Sequence, residues 1–551
     1  MPGIDLARRA IRDRDVQTAA ATFVCCWTIL AVTAPGIPLV WDEPEYLARA
    51  RNIVEWFRVF PNALSEEQLQ KTYWLFIHFS EGHPAGFALP IALGQWLFSG
   101  IVDPLTAARL GPITLFSAAC AGVAVRLKNT YGTAAAIVTP VTLLTFPRVF
   151  SDAHFATQDG QLTAWWLLLW TVQSGPARGW RDTTRLGILL GFTTATKFTG
   201  WAAWLPVAMA EVVRQWKGAV PLFRRSGPVM LRLLIIMGVA LLTFYIVNPS
   251  MWHGPLEGFR DHFHRSLNRG NTLNIATQFL GRTYTVTNSL PWYNTLVWLV
   301  FATPLPTLVL GALGLWHCFA RPTAFSLTLI LHWATLMVVR ALPGAPPHDG
   351  IRLFLPAFGF WCVLAGIGAQ RVFTLAATLR VTAWRLSLRL ALCGALLASA
   401  VNLARYYPQT LSHYNILAGG LRGAVDKGME PTYWWDALDN DVLEWLNLRA
   451  GPGDALAFST IYNMNSLRDW GRLRAKNVNA DTAPFKWYVL QNRPAMFTRI
   501  DRYLMGREKP AYVKYAGRRR GGQAVARDLD VPLISVFSFE QYQRARRRTA
   551  R

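Results

Sequence analysis

Apolar residues in this chain come in long runs, at about 18–40, 84–102, 105–126, 131–147, 161–174, 186–213, 231–249, 292–318, 323–342, 351–371 and 387–404. A helix needs about 18–20 apolar residues to cross hydrocarbon, so the pattern predicts an α-helical polytopic membrane protein of roughly 10–13 spans. Two runs resist simple counting. The run at 84–102 breaks the alternation of sides if it crosses alone, which suggests a juxtamembrane helix or half of a tight pair. The run at 186–213 has basic residues at both ends and Lys197 in its middle, so two short helices or one long tilted helix are expected.

Basic groups assign the sides. Arg126 with Lys128, Arg178 through Arg185, Arg214 through Arg232, Arg321, and Arg371 through Arg389 mark cytoplasmic ends under the positive-inside rule. The N-terminus is then cytoplasmic, and four polar loops, 41–83, 148–160, 250–291 and 343–350, face the other side. After 404 the runs shorten to "ALAFST" (455–460), "KWYVLQ" (486–491) and "PLISVFSF" (532–539) between helix-like stretches. This predicts a transmembrane domain over 1–404 and a small extracytoplasmic α/β domain over 405–551. Its last residues, "RARRRTAR", read as a disordered tail near anionic lipid.

Composition agrees: 52% of residues are hydrophobic and 16% charged, unlike a soluble domain. The net charge of +24 lies mostly between the apolar runs, which fits lipid contact and argues against a nucleic-acid partner. Cys25, Cys26, Cys120, Cys318, Cys362 and Cys393 all fall in apolar runs and read as small core residues, not a disulfide framework. Arg8, Arg9, Arg12 and Arg14 precede the first run as in a signal peptide, but no small-residue cleavage site follows, so an uncleaved helix is expected. Walker A, Rossmann and Gly-x-Ser-x-Gly sequences are missing, which leaves an energised pump or a serine hydrolase unsupported.

The candidate chemistry begins where the first run ends, at "WDEPEY" (41–46). From Trp41 to Phe60, Leu47, Ala50, Ile53, Val54 and Phe57 follow helical spacing. Glu45, Arg49, Arg51, Asn52, Glu55 and Arg58 take the other face, as in an amphipathic helix lying on the membrane. Asp42 and Glu43 at its start are read either as a cap with a solvated first-turn acid or as site carboxylates. Other polar loops place His83, Asp152, His154, Asp159, His348, Asp349 and Arg352 on the same side, with Lys197 reaching from within the membrane. A carboxylate base beside cations that hold a phosphate suits glycosyl transfer from a lipid phosphate. The alternating histidines of "HFHR" (262–265) sit among aromatics and read as interfacial, not as a metal site.

The order of these motifs resembles the type-C (GT-C) membrane glycosyltransferases, within them the protein O-mannosyltransferase and aminoarabinose-transferase superfamily. The Asp-Glu pair after the first helix is followed by "EGHPAG" (81–86), "HFATQDGQLTAWWLLL", "LGILLGFTTATKFTG", "HDGIRLFLPAFGF" and the 406–436 stretch. Members often carry Pro-Pro after the histidine of the first of these; here Ala85 replaces the second proline. The resemblance implies single displacement at the anomeric carbon of a polyprenyl-phosphate sugar, with inversion. It makes Asp42 the base, Glu43 its support or the acceptor's, and Lys197 and Arg352 the phosphate ligands. His83, His154, Asp159, His348 and Asp349 would line the substrate. Expected partners are the lipid-linked donor, membrane lipids and a protein, lipid or cell-envelope glycan acceptor, with no divalent metal or other cofactor, in a bacterial inner membrane. Two rivals stay open: a flippase for lipid-linked sugars, and en bloc oligosaccharyl transfer, which usually needs a metal.

Overall fold

The computed structural model describes residues 2–69, 83–176, 179–216, 222–272, 275–434, 436–459, 465–517 and 526–550. Glu81 and Gly82 of the "EGHPAG" run and Arg178 lie outside them. The chain opens with helix α1 (Pro2–Thr33), then α2 (Glu43–Val59), α3 (Ala88–Phe98), α4 (Pro104–Thr130), α5 (Thr133–Thr145), α6 (Pro147–His154) and α7 (Gln158–Gln173). It continues through α8 (Trp180–Thr196), α9 (Trp204–Trp216), α10 (Leu222–Ile246), α11 (Pro255–Thr272), α12 (Asn294–Ala302), α13 (Leu305–Ala320), α14 (Ala324–Ala341), α15 (Leu355–Thr378) and α16 (Thr382–Tyr406).

Among the described residues, 6 helices are long and apolar enough to cross a membrane, or 7 if α5 and α6, bent by 79°, make one span. The other apolar runs fold as shorter helices because polar or proline residues interrupt them. The run at 292–318 breaks at Thr303–Pro304, and that at 186–213 breaks at Lys197, the pair of short helices being the outcome. Helix α3, at about 1.5 Å per residue, is too short to cross alone. It packs tightly on α4 instead: a Cβ at Gly111 would lie 1.7 Å from the Pro90 carbonyl oxygen. Helix α15 is the most enclosed span, and Gly314 of α13 meets Gly368 of α15 at backbone contact, the small-residue packing that holds membrane helices together.

Helix α2 forms where its periodicity places it. Leu47, Ala50 and Ile53 are buried, but so is Arg49, assigned to the polar face by spacing; its guanidinium lies 5.1 Å from the Phe87 ring centre. Across residues 455–538 a five-stranded sheet has the order β4-β3-β5-β7-β6, with β3 (Ala455–Phe458), β4 (Lys476–Asn477), β5 (Trp487–Gln491), β6 (Tyr512–Lys514) and β7 (Ile534–Ser538). A hairpin of β1 (Thr277–Phe279) and β2 (Arg282–Tyr284) stands apart from it. The basic end is not a disordered tail. Residues Phe539–Thr549 form a helix with a Ser538–Gln541 capping box, and Tyr542 and Ala545 bury it on the sheet. Alternation of apolar and basic residues at helical spacing was the signal, masked by the density of arginines.

Candidate active site

Four separate breaks in helical structure bring the charged residues together. Asp42 ends the turn between α1 and α2. Its side chain makes no cap bond; one oxygen instead accepts from Arg352 Nη2 at 2.5 Å. Asp159 lies in the first turn of α7, where the helix dipole favours a carboxylate. The chain turns back so closely before it that a Cβ at Gly160 would meet the Asp152 carbonyl oxygen at 2.0 Å. Lys197 is extended, at φ −158°, between α8 and a 3-10 turn over Phe198–Ala203. Arg352 starts another 3-10 turn just before α15, whose second residue, Pro356, suits a helix start.

Arg352 spends its three nitrogens on three carboxylates. Nη2 donates to Asp42 Oδ2, Nε to Asp159 Oδ2 at 2.7 Å, and Nη1 to Asp349 Oδ2 at 2.7 Å. Lys197 Nζ donates to the other Asp159 oxygen at 2.5 Å. The Arg352 guanidinium also lies 3.4 Å from the Trp434 ring centre, a cation–π contact that fixes its plane. Among these carboxylates Asp42 is the accessible one, its side chain 24% exposed against 1% for Asp159 and 5% for Asp349. Water or a substrate hydroxyl therefore reaches Asp42 first. A cavity of about 10 Å³, the size of one water, lies between Arg148, Asp152, Asp349 and Arg352.

Glu43, expected to support Asp42 or the acceptor, turns instead to Arg109. It is fully buried, and its carboxylate takes Arg109 Nε at 2.8 Å and Nη2 at 2.7 Å with the backbone N–H groups of Val40 and Ala156. Its first-turn position on α2 put it next to Asp42 in sequence, but a helix turns successive residues about 100° apart, so the two side chains point to different surroundings. His154 is likewise fully buried. One ring nitrogen meets Thr33 Oγ1 at 2.8 Å and the other the Phe150 carbonyl at 2.6 Å, which ties α6 to the end of α1. His83 is buried in the segment that packs on the Lys197 turn, where the Ala85 N–H donates to Asn248 Oδ1 and Gly86 meets Ala195. His262 packs between Trp201, Phe198, Phe244 and Phe263 and accepts from the Trp201 indole.

Residues beyond the last span complete the cluster: Trp434 and Glu430 fall in the 406–436 stretch, whereas Arg493 lies in no motif. Trp41 N–H donates to the Trp434 carbonyl at 3.2 Å, which fastens the Asp42 turn to the Trp434 segment. Arg493, just past β5, reaches Asp349 Oδ1 at 3.3 Å and Glu430 Oε2 at 3.5 Å. Asp349 itself sits at φ +61°, a left-handed conformation that a short polar side chain tolerates. Burial opposes its charge, yet His348, Arg493 and Arg352 hold its carboxyl at about 2. Burial and the neighbouring arginines press His348 down to about 3, so it stays neutral near pH 7. Burial raises Glu430 to about 7 against the pull of Arg493.

Glu430 gives a pH signature. Its folded value lies above the ordinary carboxylate value of 4.5, so its contribution to stability is whole below that value and is lost as pH rises through about 7. His348 works in the opposite sense, losing stability as pH falls below its unfolded value, so the wild-type profile alone blends the two. The Tm of Glu430→Gln minus that of wild type is therefore expected to increase between pH 4.5 and 7.5, with a slope of up to about 1.4 kcal/mol per pH unit in stability. Thermal melts of the purified protein across that range measure it; a pH-independent difference contradicts the assignment.

No family model matches the sequence, and no curated protein matches it either. Solved structures do match in shape. ArnT from Cupriavidus metallidurans in the apo state aligns over 95% of this chain and 98% of its own, with a TM-score of 0.50 and 16% identity. The same protein bound to undecaprenyl phosphate aligns over 94% and 97%, at 0.47 and 15%. The oligosaccharyltransferase AglB from Archaeoglobus fulgidus, in complex with an inhibitory peptide and a dolichol-phosphate, aligns over 86% and 69%, at 0.47 and 11%. With its broken apolar helices, the helix after its first span and its charged cluster at the helix breaks, the chain has the GT-C fold.

Proposed function

We propose that this protein is a membrane glycosyltransferase that moves a single sugar from a polyprenyl phosphate to an acceptor hydroxyl on the extracytoplasmic face, with inversion. The observation that carries the reading is Asp42, an accessible carboxylate latched to Arg352 beside Lys197. In the resting site Arg352 is shared among three carboxylates. A donor phosphate competes for the same guanidinium and for Lys197, and its arrival draws Arg352 away from Asp42. The freed carboxylate then accepts the acceptor's O–H proton as that oxygen attacks the anomeric carbon. The bond from that carbon to the phosphate oxygen breaks, and the electron pair leaves on the polyprenyl phosphate, where Arg352 and Lys197 stabilise the charge. Base catalysis supplies about 10²–10⁴-fold, and orientation with phosphate stabilisation supplies most of the rest.

No residue of this scheme requires a metal, so activity is expected to survive chelation. Purified protein is incubated with a panel of polyprenyl-phosphate sugars and a membrane extract as acceptor source, with and without EDTA. Release of the carrier phosphate in both conditions is the expected result. Release abolished by EDTA points to metal-dependent en bloc transfer. Movement of intact lipid-linked sugar across vesicles without release makes the protein a transporter.

A further inference from the structure

We infer that Arg493, contributed by the segment after β5, is a positioning residue for the donor-phosphate site: through Asp349 it sets where Arg352 stands. The inference rests on the transferase reading for its kinetic consequence and on geometry alone for its structural one. Asp349 is a bridging carboxylate, one oxygen taken by Arg352 Nη1 at 2.7 Å and the other by Arg493 Nη2 at 3.3 Å. Both arginine side chains are largely buried, at 13% and 10% exposed, so solvent screens little of this interaction.

The charges explain why the bridge matters. Four carboxylates, Asp42, Asp159, Asp349 and Glu430, face three cations, Lys197, Arg352 and Arg493, in one connected cluster. Loss of Arg493 leaves Asp349 with Arg352 as its one arginine ion-pair partner among the described residues. Asp349 would then compete for Arg352 with both oxygens and pull it off the line between Asp42 and Asp159. A displacement of about 1 Å in such a site costs on the order of 100-fold in rate. Arg493 stands on the polypeptide that follows the last membrane helix, so the sheet-bearing segment acts as a structural part of the site, not as a detached lid.

Four proteins test the inference: wild type, Arg493→Gln, Arg493→Lys and Lys486→Gln. Lys486 precedes the same strand at its opposite end and pairs with the exposed Asp454, so its loss changes net charge equally without touching the bridge. Carrier release should show a donor KM raised about 10-fold or more and a lower kcat in Arg493→Gln, partial recovery in Arg493→Lys, and wild-type values in Lys486→Gln. Hydrogen exchange gives a readout independent of turnover: amides of 347–354 exchange faster in Arg493→Gln while those of α15 do not change. Wild-type kinetics and wild-type exchange at 347–354 in Arg493→Gln overturn the inference. If wild type turns over no donor, the transferase reading fails by itself, and the exchange of 347–354 still decides the role of Arg493.

Discussion

Glu43→Ala is expected to destabilise the folded protein by about 3–5 kcal/mol, the cost of breaking a buried ion pair by removing one partner. Both Glu43 and Arg109 are fully buried, so nothing in solvent replaces the lost carboxylate. Arg109 holds more than Glu43. Its Nη1 donates to the carbonyls of Ala34 and Ile37 and its Nη2 to that of Pro38, the turn that delivers the chain to Asp42. The Val40 and Ala156 N–H groups would lose their acceptor as well. Against the 5–15 kcal/mol typical of a folded domain this is a large fraction, so the variant should give a low yield of monodisperse protein and a clearly lower Tm. Glu43→Gln, which keeps one acceptor oxygen, should fall between the two. A Glu43→Ala protein with wild-type yield and Tm would show that the pair is not what orders the turn.

The neighbouring carboxylate predicts the opposite phenotype. Asp42→Asn should lower kcat by about 10²–10⁴-fold while leaving the Tm close to wild type. Arg352 keeps Asp159 and Asp349 as partners when Asp42 is neutralised, so no buried charge is left unpaired and folding loses little. Asparagine keeps the shape but takes no proton from the acceptor. It also stops competing for Arg352, so the donor KM should stay level or fall, a split that a merely structural carboxylate would not give. Turnover equal to wild type would remove Asp42 as the base and leave "WDEPEY" as a helix start.

Two adjacent acids thus differ in surroundings because one residue step along a helix start moves a side chain from partial exposure into the protein interior. Residue type and spacing name both as candidates, and only their surroundings separate them. The same distinction applies to the histidines and arginines. His154 and His348 read alike in polar loops, but one is consumed by a hydroxyl and a carbonyl, and the other stands against Asp349 and three arginines. Arg49 was placed on the polar face by periodicity, yet the ring of Phe87, from the segment just before α3, covers it.

Residue order alone was enough for the membrane class, the helix after the first span and the strands β3, β5 and β7, while at Lys197 it left one long tilted helix and two short ones open. Each is a local property, written in runs of apolar residues, in proline and glycine, and in period. Apolar length alone did not determine which runs cross fully, because a proline or a charge inside a run divides it into shorter helices. Tertiary structure decided the pairings: Glu43 with Arg109 across 66 positions, Asp42 with Arg352 across 310, and Arg493 with Asp349 across 144. Charges in a low-dielectric interior must find partners wherever the fold brings them, and sequence distance carries no information about that.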